Sequence, residues 1–202
     1  MVDESSGRQR ILDEAARLFL ERGYAEASLR DIAEAVGVRA ATIYHHFESK
    51  DALLGEVLDR GIDLIADTLD SALADAATLG PPERLAVAIK AHLSALYEHG
   101  PYTTAHVGVF LSAPAAVRRA GAPARDAYER RWGGLLDELA SAGLVAPDID
   151  LGMARRALLG MMNATIDWYR PDGPSSVEDV SETLATLALG GLLGRVPAHE
   201  AS

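Results

Sequence analysis

Between Arg39 and Lys50 the chain sets out Arg39, Thr42, Tyr44, His45 and Lys50, with Ala40 and Ala41 among them. The hydroxyls of Thr42 and Tyr44 suit phosphate oxygens, and so does the amine of Lys50 at the start of a following helix. Arg39 and His45 have the reach and the donors for base edges, Arg39 to guanine above all. The two alanines permit close approach and can meet thymine methyls. Arg30 lies nine residues before Arg39, on the same presumed face. The chemistry this group can do is recognition of a nucleic acid. The competing role for Tyr44 is a half-buried packing residue, and for His46 packing within the head is expected.

A second group lies further along. Tyr97, Tyr102, Phe110, Tyr128, Trp132, Leu159, Met162, Asn163 and Trp168 could line a pocket for an apolar small molecule, with Met and Trp giving an adaptable wall. Asn163 is a lone polar residue on an apolar helix and can orient a carbonyl. The alternative for each aromatic is plain core. Three arginine pairs, Arg118/Arg119, Arg130/Arg131 and Arg155/Arg156, could meet phosphates, though solvated helix charges are the expected reading. His92, His99 and His106 recur every seven residues. Gly100-Pro101 interrupts them, so no common helical face forms and no metal is expected. The chain lacks Gly-x-Ser-x-Gly, P-loop and His-Glu-x-x-His motifs, so no enzymatic activity is expected.

The recognition group needs a rigid mount, and the surrounding sequence supplies one. Ser28 with Asp31 three residues on forms a capping box for a helix whose Leu29, Ile32, Ala33 and Val36 make one apolar stripe. Gly37 stops that helix. Val38 follows as a plug, and a second helix from Ala40 to about Phe47 buries Ile43 and Phe47. An earlier helix, Arg8 to Arg22, carries Ile11, Ala15, Leu18 and Phe19, ends at Gly23, and backs the pair. This is the spacing of a helix-turn-helix, whose second helix enters the major groove.

Together with the run Thr42-Ile-Tyr-His-His-Phe-Glu-Ser-Lys-Asp-Ala-Leu-Leu, the stretch from Ser28 resembles the DNA-binding signature of the TetR family of transcriptional regulators. Arg39 departs from it, standing where the family more often has a small hydroxyl residue. In the back half, Arg130-Arg131-Trp132, Gly160, Asn163 and Trp168-Tyr169-Arg170-Pro171-Asp172-Gly173 are similar to the subgroup of lipid- and sterol-catabolism repressors that respond to acyl-CoA thioesters. The resemblance implies an all-α protein of nine helices, three in a head (residues 1–50) and about six in an effector-binding and dimerisation domain (residues 51–202). It implies a homodimer through the last two helices, a palindromic DNA operator, and release by an apolar or acyl-CoA effector, with no other cofactor. A helix-turn-helix protein controlled by a protein partner, with no small-molecule effector, is the alternative.

Composition agrees. The 202 residues are 49% hydrophobic with no cysteine, which excludes a disulfide framework. No long apolar run suggests a membrane span, and a cytoplasmic protein is expected. Net charge is −11. Residues 1–50 hold seven Lys/Arg against nine Asp/Glu, a net of −2, so most of the acid lies behind the head. A head this poor in cations binds DNA through a few placed contacts and needs a dimer.

Further helices are expected over Lys50–Ala77, Glu83–His99, Tyr102–Leu111, Ala124–Ala142, Leu151–Tyr169 and from a Ser176 cap to about Leu193. An arm over residues 1–7, a loop over Ser112–Pro123 and a frayed tail after Pro197 complete the expectation. Two apolar faces are expected to dimerise: Leu158, Met161, Met162 and Ile166 on one helix, and Val177, Val180, Leu184, Leu187 and Leu192 on the other. Gly190, Gly191 and Gly194 would allow close approach.

Overall fold

A computed structural model of the chain describes residues 4–193. The tail after Pro197 and Gly194 lie outside the described residues. Those described form ten α-helices and a 3₁₀ turn, with no strand among them: α1 (Glu4–Glu26), α2 (Leu29–Val36), α3 (Ala40–His46), α4 (Lys50–Asp75), α5 (Pro81–Glu98), α6 (Pro101–Val109), the 3₁₀ turn (Phe110–Ser112), α7 (Ala115–Ser141), α8 (Leu151–Asn163), α9 (Thr165–Trp168) and α10 (Val177–Leu192). The chain divides into two compact units. The first is Met1–Ala66 with Ala95–Ala127, and the second is Asp67–Ser94 with Tyr128–Ser202.

Local chemistry explains most helix ends in the first unit. Ser28 accepts from the Asp31 N–H at 3.1 Å, and the Asp31 carboxylate accepts from the Ser28 N–H at 2.9 Å. The Ser28 hydroxyl also donates to that carboxylate, and this bond first, then the one from the Ser28 N–H, holds the Asp31 carboxyl below its ordinary range. At the other end of α2, the Val38 N–H reaches the Ala33 carbonyl at 2.9 Å and the Gly37 N–H that of Glu34 at 3.0 Å. This is a Schellman closure, and it requires the left-handed φ of 76° that Gly37 adopts. The backbone also leaves helical geometry at Gly23, where φ is 78°. Arg39 caps α3 with no side-chain bond. Ser49 caps α4, accepting from the Ala52 N–H at 3.0 Å.

The core of this unit joins Ile11, Leu12, Ala15, Leu18 and Phe19 of α1 to Ile32, Val36, Ile43, Phe47, Leu53, Leu54 and Val57. Tyr102, Val109, Phe110 and Val117 belong to the same cluster. Helices α4 and α6 approach closely because Gly61 has no side chain. A Cβ there would stand 2.4 Å from the Tyr102 carbonyl oxygen and 2.7 Å from the His106 Cβ.

Three expectations change. The arm over residues 1–7 is already helical from Glu4, and residues 1–3 lie outside the described part. The expected loop over Ser112–Pro123 is helical from Ala115, with Pro123 inside α7. Ala115, Ala116, Ala120 and Ala122 favour a helix, and buried Val117 anchors the segment to the core, which together outweigh one proline. The helix expected to run unbroken from Leu151 to Tyr169 divides after Asn163, where the buried Thr165 hydroxyl donates to the Met162 carbonyl at 2.7 Å.

The second unit buries Leu69, Leu85, Ile89, Leu93, Trp132, Leu135, Leu136 and Leu139. The apolar stripes of α8 and α10 divide. Leu158, Met162, Val180, Leu184 and Leu192 are buried within this chain, whereas Leu187 is 60% exposed and Gly190 and Gly191 are open. No helix of the described residues is long and apolar enough to cross a membrane.

Candidate functional site

The capped α2 and the buried Ile43 and Phe47 leave one face of α3 uncovered. Tyr44 is 60% exposed, which removes the half-buried reading of that side chain. Arg30, Arg39, Ala41 and His45 are exposed, and Ala40 and Thr42 are half-buried. Arg30, Ala40, Tyr44 and Lys50 come together with Ser49 around a shallow depression of about 680 Å³ beside the start of α4. Arg39, Ala41, Thr42 and His45 lie outside its lining. Lys50 is held, not loose. Its ammonium donates to the Ala25 carbonyl at 3.3 Å and sits 4.2 Å from the centre of the Tyr24 ring. The Tyr24 hydroxyl in turn donates to Asp51, and burial followed by that carboxylate pushes the phenol up to about 12. His46 packs edge-on to Phe47, within the head. Acidic side chains of α1 are engaged elsewhere: Arg17 binds both Glu14 and Glu21.

The second group of residues is divided between the units. In the first, the Tyr102 hydroxyl donates to Asp13 at 2.6 Å and accepts from Gln9 at 3.0 Å, with the Arg60 guanidinium 4.5 Å from its ring centre. Tyr102 therefore ties α6 to α1. Phe110 lines a cavity between the starts of α4 and α7, and Tyr97 is half-buried on α5.

In the second unit, Tyr128, Trp132 and Asn163 gather around His92. The His92 Nε2 lies 3.1 Å from the Asn163 Oδ1, and Nδ1 lies 2.7 Å from the Tyr128 hydroxyl. A carbonyl oxygen only accepts, so Nε2 carries the proton and Nδ1 accepts from the phenol. Burial raises the Tyr128 phenol far above its ordinary value, so it stays a donor. The Trp132 ring packs edge-on to both His92 and Tyr128, and its Nε1–H is buried with no partner among the described residues. Met162 is buried, Leu159 is half-buried, and Trp168 is 56% exposed beside Val180 and Leu184.

One arginine of each pair is engaged within the protein. Arg131 binds Asp70 through two bonds of 2.6 Å, Arg155 lies 3.6 Å from Glu129, and Arg118 donates to the Leu111 carbonyl at 2.8 Å. His92 belongs to the second unit and His106 to the first, and no group of three or more His, Cys, Asp or Glu among the described residues could hold a metal ion.

His92 and His106 are the residues whose roles sequence reasoning missed, having been weighed only as metal ligands. The signal that singled out Asn163, one polar residue in an apolar stripe, was present for His92, which sits among Ala88, Ile89, Leu93 and Leu96.

Residues 11–57 match the model for bacterial regulatory proteins of the tetR family, and residues 78–192 match the tetracyclin repressor-like C-terminal domain. The chain belongs to the TetR family. A TetR-family relative, the HTH-type transcriptional repressor KstR2 of Mycolicibacterium smegmatis, is 31% identical over 93% of this chain and 91% of its own length. The structure of the ketosteroid transcriptional regulator KstR2 of Mycobacterium tuberculosis is similar at 28% identity and a TM-score of 0.75, covering 92% of this chain and 94% of that one. AibR in complex with isovaleryl coenzyme A and operator DNA shares the fold, at 24% identity and a TM-score of 0.80 over 90% of this chain and 97% of that one. This TetR-family member is a transcriptional repressor with a helix-turn-helix head, not an enzyme.

Proposed function

We propose that the protein is a cytoplasmic homodimeric repressor that holds a palindromic operator and leaves it when an acyl-CoA thioester binds. The observation that carries the DNA half is the exposed face of α3 on a buried, doubly capped scaffold. Arg39 and His45 read base edges. Thr42, Tyr44, Lys50 and Arg30 meet phosphates, and Ala40 and Ala41 allow the approach. The open Leu187, Gly190 and Gly191 of α10 meet their counterparts on a second chain, which sets two heads at the spacing of successive grooves.

The effector half rests on Asn163. Its carbonyl is used by His92, which leaves the amide NH₂ to meet a thioester carbonyl. Tyr128, Trp132, Met162, Leu159 and Trp168, all of the second unit, supply the apolar contacts. Support comes from the similar ketosteroid transcriptional regulator KstR2 and from the isovaleryl coenzyme A held by a protein of the same fold. Calorimetry with a panel of acyl-CoAs and their free acids tests the class. Saturable binding of a thioester that also releases a footprinted palindrome is expected. Binding of neutral lipophiles but of no thioester would overturn it.

A further inference from the structure

The cavity beside the head has a composition that an acyl-CoA site does not need. It measures about 270 Å³ and lies wholly within the first unit, lined by the first half of α4, by His106 and Phe110, and by the start of α7. Its walls are mostly apolar: Ala52, Leu58, Phe110, Val117 and Ala120. The polar groups of its lining are acceptors, and the Arg125 guanidinium, outside the lining, acts on His106 by its charge. The His106 Nδ1 lies 2.8 Å from the Leu58 carbonyl, so Nδ1 carries the proton and Nε2 presents a lone pair. That imidazole is only 5% exposed, and Nε2 has no partner among the described residues. Asp59 also lacks a hydrogen-bond or ion-pair partner among the described residues. Asp51, the remaining polar group, is engaged by Tyr24. Gly121 keeps one wall low: a Cβ there would stand 3.3 Å from the Phe110 ring and 3.7 Å from the Asp59 carboxylate. Arg125 stacks 4.7 Å from the Phe110 ring centre and holds that wall.

We propose that this cavity binds a small organic ammonium ion with an apolar body. The cation pairs with the Asp59 carboxylate, donates to the His106 Nε2 and lays its apolar part between Phe110, Val117 and Leu58. A ligand with acceptors in place of donors would face a wall of acceptors. Burial and the neighbouring Asp63 and Glu56 raise the Asp59 carboxyl, as an unpaired carboxylate awaiting a cation should be. A cavity of about 150 Å³ admits one benzene ring, so this one has room for about ten non-hydrogen atoms. The site is independent of the acyl-CoA reading, and each can fail without the other.

Titration calorimetry of the full chain with 2-phenylethylamine, 2-phenylethanol and 3-phenylpropanoate tests it. The amine should saturate one site per chain, the alcohol should bind about tenfold or more weaker, and the carboxylate should not bind. Asp59→Asn should cut amine affinity about tenfold and leave the alcohol unchanged. Gly121→Leu should remove both while the chain still unfolds cooperatively. If Gly121→Leu does not fold, Asp59→Asn decides. No amine binding at millimolar concentration, a carboxylate that binds as well as the amine, or amine affinity unchanged in Asp59→Asn would overturn the proposal.

Discussion

His106 shows how burial sets the behaviour of one side chain. Burial first, opposed by the bond to the Leu58 carbonyl, lowers its pKa from 6.5 to about 4. Folding thus favours the neutral ring, and protonation favours the unfolded chain. The contribution is whole above about 6.5 and is lost as pH falls from there toward about 4, at a cost of about 3 kcal/mol in all. Urea unfolding of wild type and His106→Gln across that window should show a steeper acid loss in wild type, because glutamine keeps a donor for the carbonyl and does not titrate. Arg39 is the other residue to test. It is exposed and makes no side-chain cap, so Arg39→Ala should leave stability within about 0.5 kcal/mol. By the proposed contact to guanine it should weaken operator binding by about 1–3 kcal/mol, with little change on random DNA. Equal losses on both sequences in a gel-shift titration would reassign Arg39 to phosphate.

At the scale of elements, α4 and α6 approach too closely at residue 61 for any side chain. Gly61→Ala places a methyl against the Tyr102 backbone, which cannot yield as a flexible side chain can. A destabilisation of about 1–3 kcal/mol is expected, read as a lower denaturant midpoint at an unchanged m-value. The same approach holds Tyr102, whose phenol is bound to Asp13 and Gln9 of α1. A movement of α6 therefore reaches the helix that backs the recognition helix through named bonds.

For the whole molecule, charge and assembly act together. A net charge of −11 repels DNA, and the head offers few cations, with Arg30, Arg39 and Lys50 those of the proposed contact face. Two heads per operator are then a condition of tight binding, and affinity should fall steeply with salt. Leu187→Glu alters a side chain that this chain leaves exposed, so the fold should survive. Sedimentation should show monomers, and operator binding should be lost. A Leu187→Glu protein that stays dimeric would place the interface elsewhere.

Residues close together in sequence determined much of this. Ser28 with Asp31, Ser176 whose hydroxyl accepts from the Asp179 N–H at 3.1 Å, the stop at Gly37 and the stripe Leu29, Ile32, Ala33, Val36 are local bonds and helical periodicity, so the head and most helix ends are legible in short windows. Tertiary structure alone decided the rest. The helix from Ala115 through Pro123 stands because Val117 finds a core to enter. His92 and Asn163 meet across seventy-one positions, and no local pattern pairs them. Periodicity marks the apolar faces of α8 and α10, but it cannot say that Leu184 is covered by its own chain while Leu187 is left bare. Which face is covered depends on what packs against it, and that is a property of the folded chain.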